Sequence, residues 1–367
     1  MQENKKNEQL FFQEEHFKCE TESDDSSLEI QEIYKKINVE EGKRGRLVRI
    51  LSEFIQVQNI LRDENIFFTV VMFGSARSYS HESYECRKNE LESRLSEIDE
   101  KIKKNIPLVN EEIKEYEKLQ KDFEALLKLK WTTKYYNQIY ELSKKLTLFF
   151  ATDEGKEAVN NLSILLPRNR DYIKAKHMGT YRSMDNSKYM DELKCNGKDP
   201  SNIQNEKTVY NVAICTGGGP GFMEAANKGS KDANGKSLGF MISLPFEKEG
   251  NKYIDKHLSF KFHYFFTRKF WLIYLSLAFI VFPGGFGTLD ELLEILTLKQ
   301  CKKLKKNVPI VLFGKDFWAS IINFNKLVDY GLVSQGDVDN IFVTDCVDEA
   351  CNYIIDYLKS KSLANNT

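Results

Sequence analysis

From Val209 to Tyr330 the chain alternates short β-branched or aromatic runs with amphipathic stretches, and this alternation limits the fold more than any other feature. Val212-Ala213-Ile214-Cys215, Leu238 to Leu244, Ala278 to Phe282 and Ile310 to Phe313 read as strands. Helices are predicted over Gly221 to Gly229, Phe265 to Leu277, Leu289 to about Lys302 and Phe317 to Tyr330. Strands joined through helices by short links need crossover connections, so the sheet must be mostly parallel and covered on both faces. The expected class is α/β: a Rossmann-like doubly wound parallel sheet with helices on both faces.

The amino-terminal half carries the rest of this fold, with interruptions. Phe67-Phe68-Thr69-Val70-Val71-Met72-Phe73 reads as a buried strand ending in the tight turn Gly74-Ser75-Ala76-Arg77. An amphipathic helix precedes it over Leu47 to Leu61, and another is expected over Thr133 to Phe150. Between about Glu82 and Leu129, two charged helical stripes separated by Asn105-Ile106-Pro107 predict a helical hairpin insertion. Residues 151 to about 208, rich in Asn, Lys, Asp and Ser, read as an irregular polar insertion. The expected organisation is an acidic, flexible tail over residues 1–41, then a single domain over 42–332 with insertions at about 82–131 and 151–208. A carboxyl-terminal strand/helix extension over 333–367 completes it.

Charge and composition remove several partner classes. The 367 residues hold 53 basic and 54 acidic side chains, a formal charge of −1, which gives no general attraction for a polyanion. No nucleic acid partner is expected. The most apolar stretch, Trp271 to Phe282, is too short to cross a hydrocarbon layer that needs about 20 apolar residues, so no membrane is expected either. The start of the chain matches neither a secretory signal nor a transit peptide, which makes a cytosolic location the expectation. Seven cysteines lie scattered without CxxC spacing, so reduced thiols are expected and no metal site.

Two glycine-rich turns carry the candidate chemistry. The first is Thr216-Gly217-Gly218-Gly219-Pro220-Gly221-Phe222-Met223-Glu224, and the second is Pro283-Gly284-Gly285-Phe286-Gly287-Thr288-Leu289-Asp290-Glu291. Each follows a predicted strand and opens a predicted helix, where backbone amides and the helix dipole favour an anionic group. Both lie at carboxyl ends of parallel strands and can meet in one crevice. Neither is a dinucleotide GxGxxG turn with its distant acid nor a Walker loop, so a mononucleotide or sugar phosphate is favoured over NAD or ATP. Thr288 can donate to a phosphate at the helix start. Capping alone accounts for one acid among Asp290 and Glu291, whereas a Glu beside the ligand can act on water or on a leaving group. Arg268-Lys269 follows the aromatic run Phe262, Tyr264, Phe265 and Phe266. In isolation Arg268 reads as a surface residue of an amphipathic helix, but near a phosphate crevice it can fork onto oxygens.

Taken in order, TGGGPGFMEAAN, FFTRK and PGGFGTLDE resemble the LONELY GUY family of cytokinin riboside 5'-monophosphate phosphoribohydrolases, often labelled lysine decarboxylase-like. The family pattern PGGxGTxxE is met by Pro283, Gly284, Gly285, Gly287, Thr288 and Glu291. The resemblance covers about residues 66–80, 132–150 and 209–332. It implies that Arg268 and Glu291 form the catalytic pair and that Gly284, Gly285, Gly287 and Thr288, with Lys269, hold the 5'-phosphate. Gly217, Gly218, Gly219 and Glu224 would border the nucleotide, with Gly74 and Ser75 on its other side and Glu247 and Thr297 as further candidates. The implied reaction is hydrolysis of the N-glycosidic bond of a nucleoside 5'-monophosphate, giving free base and ribose 5-phosphate with no cofactor. A homodimer or larger homo-oligomer is implied as well.

The two insertions and the acidic tail depart from the compact plant-type pattern, and the first loop looks more like a longer microbial branch. For that branch the resemblance implies AMP or another purine nucleotide as readily as a prenylated adenine nucleotide. Nothing in the chain identifies a pyridoxal phosphate lysine, so the decarboxylase label finds no support in the residues. The competing expectation is a non-catalytic nucleotide-binding protein or molybdenum-cofactor carrier, since such carriers resemble the same fold and use similar turns.

Overall fold

The computed structural model describes residues 45–163, 211–243, 250–304 and 308–363. The chain divides into two units, residues 1–52 and 53–367. Of the first, only residues 45–52 are described, and they begin helix α1 (Arg46–Asp63). The acidic tail, residues 164–208 of the polar insertion and Glu247 lie outside the described residues.

Seven strands form one sheet: β1 (Ile66–Phe73), β2 (Asn211–Thr216), β3 (Lys236–Ile242), β4 (Ser259–Phe262), β5 (Ser276–Val281), β6 (Ile310–Phe313) and β7 (Ile341–Thr344). Their order is β4-β3-β2-β1-β5-β6-β7, and every pairing is parallel. The chain winds outward from β1 to β4 and returns to the middle at β5. That places the reversal of strand order between β1 and β5, where ligand crevices form in open α/β sheets. The expected doubly wound parallel sheet is the observed one.

Period-2 alternation assigns each strand residue to a face. Val71 and Phe73 of β1, with Phe279 and Val281 of β5, enter one core, which Val57, Trp271, Leu272, Leu292 and Trp318 close. Val70 and Met72, with Ala278 and Ile280, enter the other, under Ile139, Leu142, Ala225, Ala226, Ile354 and Leu358. All eight residues of β1 are buried, because a central parallel strand is covered twice. Each large side chain so buried contributes about 1.5–3 kcal/mol relative to exposure. An acidic or basic substitution here would disrupt both layers.

The covering helices follow in chain order as α4 (Thr133–Ala151), α6 (Phe222–Asp232), α7 (Phe265–Tyr274), α8 (Phe286–Gln300) and α12 (Val347–Leu363). The hairpin is present as α2 (His81–Lys103) and α3 (Asn110–Leu127), started by Ser80, whose Oγ accepts from the Ser83 amide at 3.0 Å. It owns a small separate core of Tyr84, Leu91, Ile98, Leu119 and Leu126. Exposed ion pairs such as Lys101–Glu112, 2.7 Å, cross between its helices and add little stability.

Four expectations need correction. Helix α5 (Asp153–Ser163) occupies the start of the stretch read as irregular, because Ala158 and Val159 are buried beneath its polar composition. The predicted helix Phe317 to Tyr330 is two helices, α9 (Lys315–Ile321) and α10 (Phe324–Asp329), since Asn323 caps the second by accepting from the Lys326 amide at 3.0 Å. Helix α7 ends at Tyr274, leaving Ser276 and Leu277 to β5. The segment before it, assigned no strand, forms edge strand β4, which buries Phe260 and Phe262 and exposes Ser259 and Lys261. Near the carboxyl end, α11 (Gln335–Asp339) leads into β7, which pairs with β6 so that the terminal segment belongs to the same sheet.

Candidate functional site

A cavity of about 680 Å³ opens at the carboxyl ends of β1, β2 and β5, a size suited to a small molecule. Ser75 joins its three walls. Its amide donates to the Pro283 carbonyl at 3.1 Å, and its carbonyl accepts from the Phe222 amide at 3.1 Å and the Ser78 hydroxyl at 3.0 Å. One residue after β1 thereby ties the β5 turn to the β2 turn. Gly221, with φ +70°, must be glycine here, because a Cβ would lie 2.6 Å from the Ser75 carbonyl oxygen.

The first glycine turn is filled by its neighbours. A Cβ on Gly217 would stand 2.7 Å from Arg268 Nη2, one on Gly219 would stand 2.7 Å from Met223 Cε, and one on Gly218 would collide with Met241. Beneath the turn lies a buried polar network. Asn227 Oδ1 accepts from Thr216 Oγ1 at 2.7 Å and from Asn251 Nδ2 at 2.9 Å, while Asn227 Nδ2 donates to Ser237 Oγ at 2.9 Å. The Asn251 amide holds the Gly218 carbonyl at 2.9 Å and its side chain the Gly219 carbonyl at 3.0 Å. This network fixes the loop against which the Arg268 guanidinium rests.

The second turn is open. A Cβ on Gly285 or on Gly287 would meet nothing within 4 Å, and both residues line the cavity. Helix α8 begins here. Its Thr288 and Leu289 amides bond the Gly285 carbonyl, both at 3.0 Å, while the Phe286 and Gly287 amides belong to the first turn, whose donors have no intrahelical acceptor. The Thr288 hydroxyl sits over Gly284 and is mostly buried. Such an end attracts an anion through its amides and its dipole.

Arg268 and Glu291 meet in this cavity. Arg268 Nη1 lies 4.0 Å from Glu291 Oε1, and Arg268 Nε donates to the carbonyl of Phe240 in β3 at 2.8 Å. Glu291 is 4% exposed, and among the described residues its Oε2 takes no hydrogen bond. Burial pushes its carboxyl above the ordinary carboxylate value, against the opposing pull of Arg268 and then Lys269. Lys269 stands behind Glu291 with its ammonium 2.8 Å from Asp290, 2.7 Å from Glu294 and 3.8 Å from Glu291. Burial works to lower the Lys269 pKa, but these carboxylates outweigh it and the net direction is up.

Of the residues singled out in the sequence, Gly74, Ser75, Gly217, Arg268, Gly284, Gly285, Gly287, Thr288 and Glu291 line this one cavity. Lys269, Gly218, Gly219 and Glu224 are not in its lining; Glu224 faces Tyr136, whose hydroxyl its charge helps to push up after burial. Thr297 lies farther along α8, donates to the Leu293 carbonyl at 2.7 Å and borders a separate groove of about 180 Å³. Residues missed in the sequence are Arg77, Met223, Phe317 and Ile321. Phe317 and Ile321 follow β6 at helical spacing, so the rule that ligands sit beyond strand carboxyl ends could have found them. Arg77 closes the β1 turn already noted.

The lining pairs an anion-accepting helix end and two arginines with apolar Phe73, Phe265, Phe286, Phe317 and Ile321. A ligand with one anionic end and one aromatic or apolar end fits that division. Among the described residues, no helix is long and apolar enough to cross a membrane, and no group of three or more His, Cys, Asp or Glu side chains is placed to hold a metal ion.

Comparison with known proteins points to the same segment. A family profile described as "possible lysine decarboxylase" matches residues 223–354. The cytokinin riboside 5'-monophosphate phosphoribohydrolases LOG4 and LOG3 of Arabidopsis thaliana are each 31% identical over 137 residues, 36% of this chain and 61% of the relative. LOG7 of the same plant is 44% identical over 59 residues, 16% of this chain and 26% of that protein. The chain thus spans about three fifths of the length of LOG4 and LOG3. The X-ray structure of TM1055 is 22% identical, covers 39% of this chain and 78% of that one, and superimposes with a TM-score of 0.26.

Proposed function

We propose that the chain, which is similar over residues 223–354 to the "possible lysine decarboxylase" family and in part to LOG4 and LOG3, is a LONELY GUY-type enzyme that hydrolyses the N-glycosidic bond of a nucleoside 5'-monophosphate, AMP or a cytokinin-type adenine nucleotide. Water adds at the anomeric carbon, the carbon–nitrogen bond breaks, and the products are the free base and ribose 5-phosphate. The observation that carries this reading is the 4.0 Å approach of Arg268 to the buried Glu291 beside an open helix amino terminus.

Glycosidic bonds break through an oxocarbenium-like sugar, so a carboxylate close to the anomeric carbon stabilises the developing positive charge and orients water. Glu291 has the burial for that role, since its field is poorly screened inside the cavity. Burial favours the protonated carboxyl and raises its pKa, and Arg268 pulls against that shift. The α8 amino terminus with Thr288 receives the phosphate, and the phenylalanines of the lining face the base.

Incubation of the full chain with AMP and with isopentenyladenosine monophosphate, followed by chromatography of the bases, tests this reading. Release of base from either nucleotide is expected. Nucleotide binding without release from any of them would leave a binding protein in its place.

The homodimer is part of the same proposal. Exposed Phe265, Phe266 and Phe270 on α7, with Phe286 and Leu293 on α8, offer an apolar area beside the cavity mouth. Sedimentation equilibrium is expected to return twice the chain mass, and Phe270→Asp to shift it toward the monomer.

A further inference from the structure

We propose that Arg77, rather than Lys269, is the side-chain cation that holds the phosphate of the ligand; the inference rests on the reading of the cavity as a phosphate-ester site. Four charged residues line the cavity: Arg77, Arg268, Asp290 and Glu291. A phosphate monoester brings roughly −1.5 to −2 charges near neutral pH. Placed beside two carboxylates, it needs a cation not already committed elsewhere.

Lys269 is committed. Its ammonium bonds Asp290 and Glu294 and stands 3.8 Å from Glu291, with only 16% of the side chain exposed. Turning it toward a phosphate would break two short charged contacts and leave Glu291 without one of the two cations that oppose its protonation. Arg268 is held as well, by the Phe240 carbonyl, by Gly217 packed against its Nη2, and by Glu291.

Arg77 differs on each count. It is exposed, lines the cavity, and among the described residues its guanidinium is paired with no carboxylate. Its backbone is nevertheless fixed: the Arg77 amide donates to Ser75 Oγ at 3.1 Å, and the Ser75 amide donates to the Pro283 carbonyl at 3.1 Å. The side chain therefore springs from a rigid turn bonded directly to the loop that starts α8. A guanidinium there can fork onto two phosphate oxygens while the Phe286 and Gly287 amides and the Thr288 hydroxyl take the rest. Lys269 is left as a positioning residue for Glu291.

The test is calorimetric titration of ribose 5-phosphate and of adenosine into the full chain and into Arg77→Gln, Arg77→Lys and Lys269→Met, each confirmed folded by circular dichroism. Arg77→Gln is expected to weaken ribose 5-phosphate roughly tenfold or more, with Arg77→Lys between it and the parent and adenosine affinity unchanged. Lys269→Met is expected to keep ribose 5-phosphate affinity within a few-fold. Equal affinity of the parent and Arg77→Gln for ribose 5-phosphate, no binding of it by the parent, or an equal loss for adenosine overturns the inference. Base release from AMP, followed in parallel, separates the two claims. No release with a selective Arg77→Gln defect removes the hydrolase and keeps the anchor, whereas release with an unchanged KM in Arg77→Gln does the reverse.

Discussion

The two glycine turns look alike in sequence and differ in what surrounds them. Around Gly217, Gly218 and Gly219 the space for a side chain is already taken by Arg268, Met241 and Met223. Around Gly285 and Gly287 it is empty and belongs to the cavity. The first turn uses glycine so that other parts of the protein can approach the backbone; the second leaves its backbone open to the cavity. Glycine content alone therefore does not mark a binding loop. What marks one is a missing neighbour on the side where the helix amides point.

Four substitutions sharpen this contrast, beginning with the acid at the end of the second turn. Glu291→Gln preserves shape and removes charge, and base release is expected to fall about 10²–10⁴-fold with nucleotide binding retained in calorimetry. Turnover near the parent level would detach Glu291 from the chemistry. Gly217→Ala drives a methyl against Arg268 Nη2, which sits 2.7 Å from the Cβ position. It is expected to cost roughly 1–3 kcal/mol in urea unfolding and to lower kcat through the displaced arginine. Gly285→Ala makes the opposite prediction: an unchanged Tm, because nothing lies within 4 Å, with a higher KM for nucleotide because the methyl enters ligand space. If Gly285→Ala destabilised and Gly217→Ala did not, the distinction between the turns would be lost.

The mounting beneath the first turn makes a prediction of stability alone. Asn251→Ala removes the donor to the Gly219 carbonyl and to Asn227 Oδ1, and about 1–3 kcal/mol of stability is expected to go with it, read by chemical denaturation. A loss much below that range would show the loop to be held by its packing alone.

The last prediction concerns pH. Burial raises the Glu291 pKa above its ordinary 4.5, with Arg268 and Lys269 pulling against it. The acid limb of kcat/KM is therefore expected above the ordinary glutamate value, since the ionised form acts. Lys269→Met is expected to move that limb further up, because it removes one of the two cations that lower the Glu291 pKa. The sign for folding is the reverse of a salt-bridged acid. The native state holds this proton more tightly than the unfolded chain, so stability falls as pH rises from 4.5 through the raised pKa, and Glu291→Gln abolishes that slope. A limb that moved down in Lys269→Met would contradict the placement of the ammonium behind Glu291.

Much of the fold is legible in the chain because local pattern and tertiary demand agree. The β-branched run of β1 predicts a strand buried on both faces, and all eight of its residues are buried. The helical hairpin is legible from its two stripes and the break at Asn105-Ile106-Pro107, where Asn105 adopts φ 53°. Misreadings fall where tertiary contacts override local signal. Helix α5 hides in polar composition until Val159 finds the second core. Strand β4 is too short and too aromatic to be told from the helix that follows, and only pairing with β3 makes it a strand. At the site, the glycine motifs are visible in the sequence because their residue types are unusual in their context, whereas the Arg268–Glu291 pair is implied only by the family resemblance, since Arg268 alone reads as a surface residue. Phe317, Ile321 and Arg77 carry no such mark.

The alternation of apolar period 2 with helical stretches, and the glycines that permit strand-to-helix turns, are properties of neighbouring residues. From them the chain alone specified a parallel sheet wrapped on both sides with two glycine-rich strand-to-helix turns. Which lysine or arginine faces the cavity was settled only by folding. Lys269 and Arg268 are adjacent in the chain, yet helix α7 directs one toward three carboxylates and the other toward Gly217 and Glu291. Successive residues on a helix point about 100° apart. The partners each one meets include Phe240 of β3 and Glu294 of α8, 28 and 25 positions away, and no local pattern encodes them.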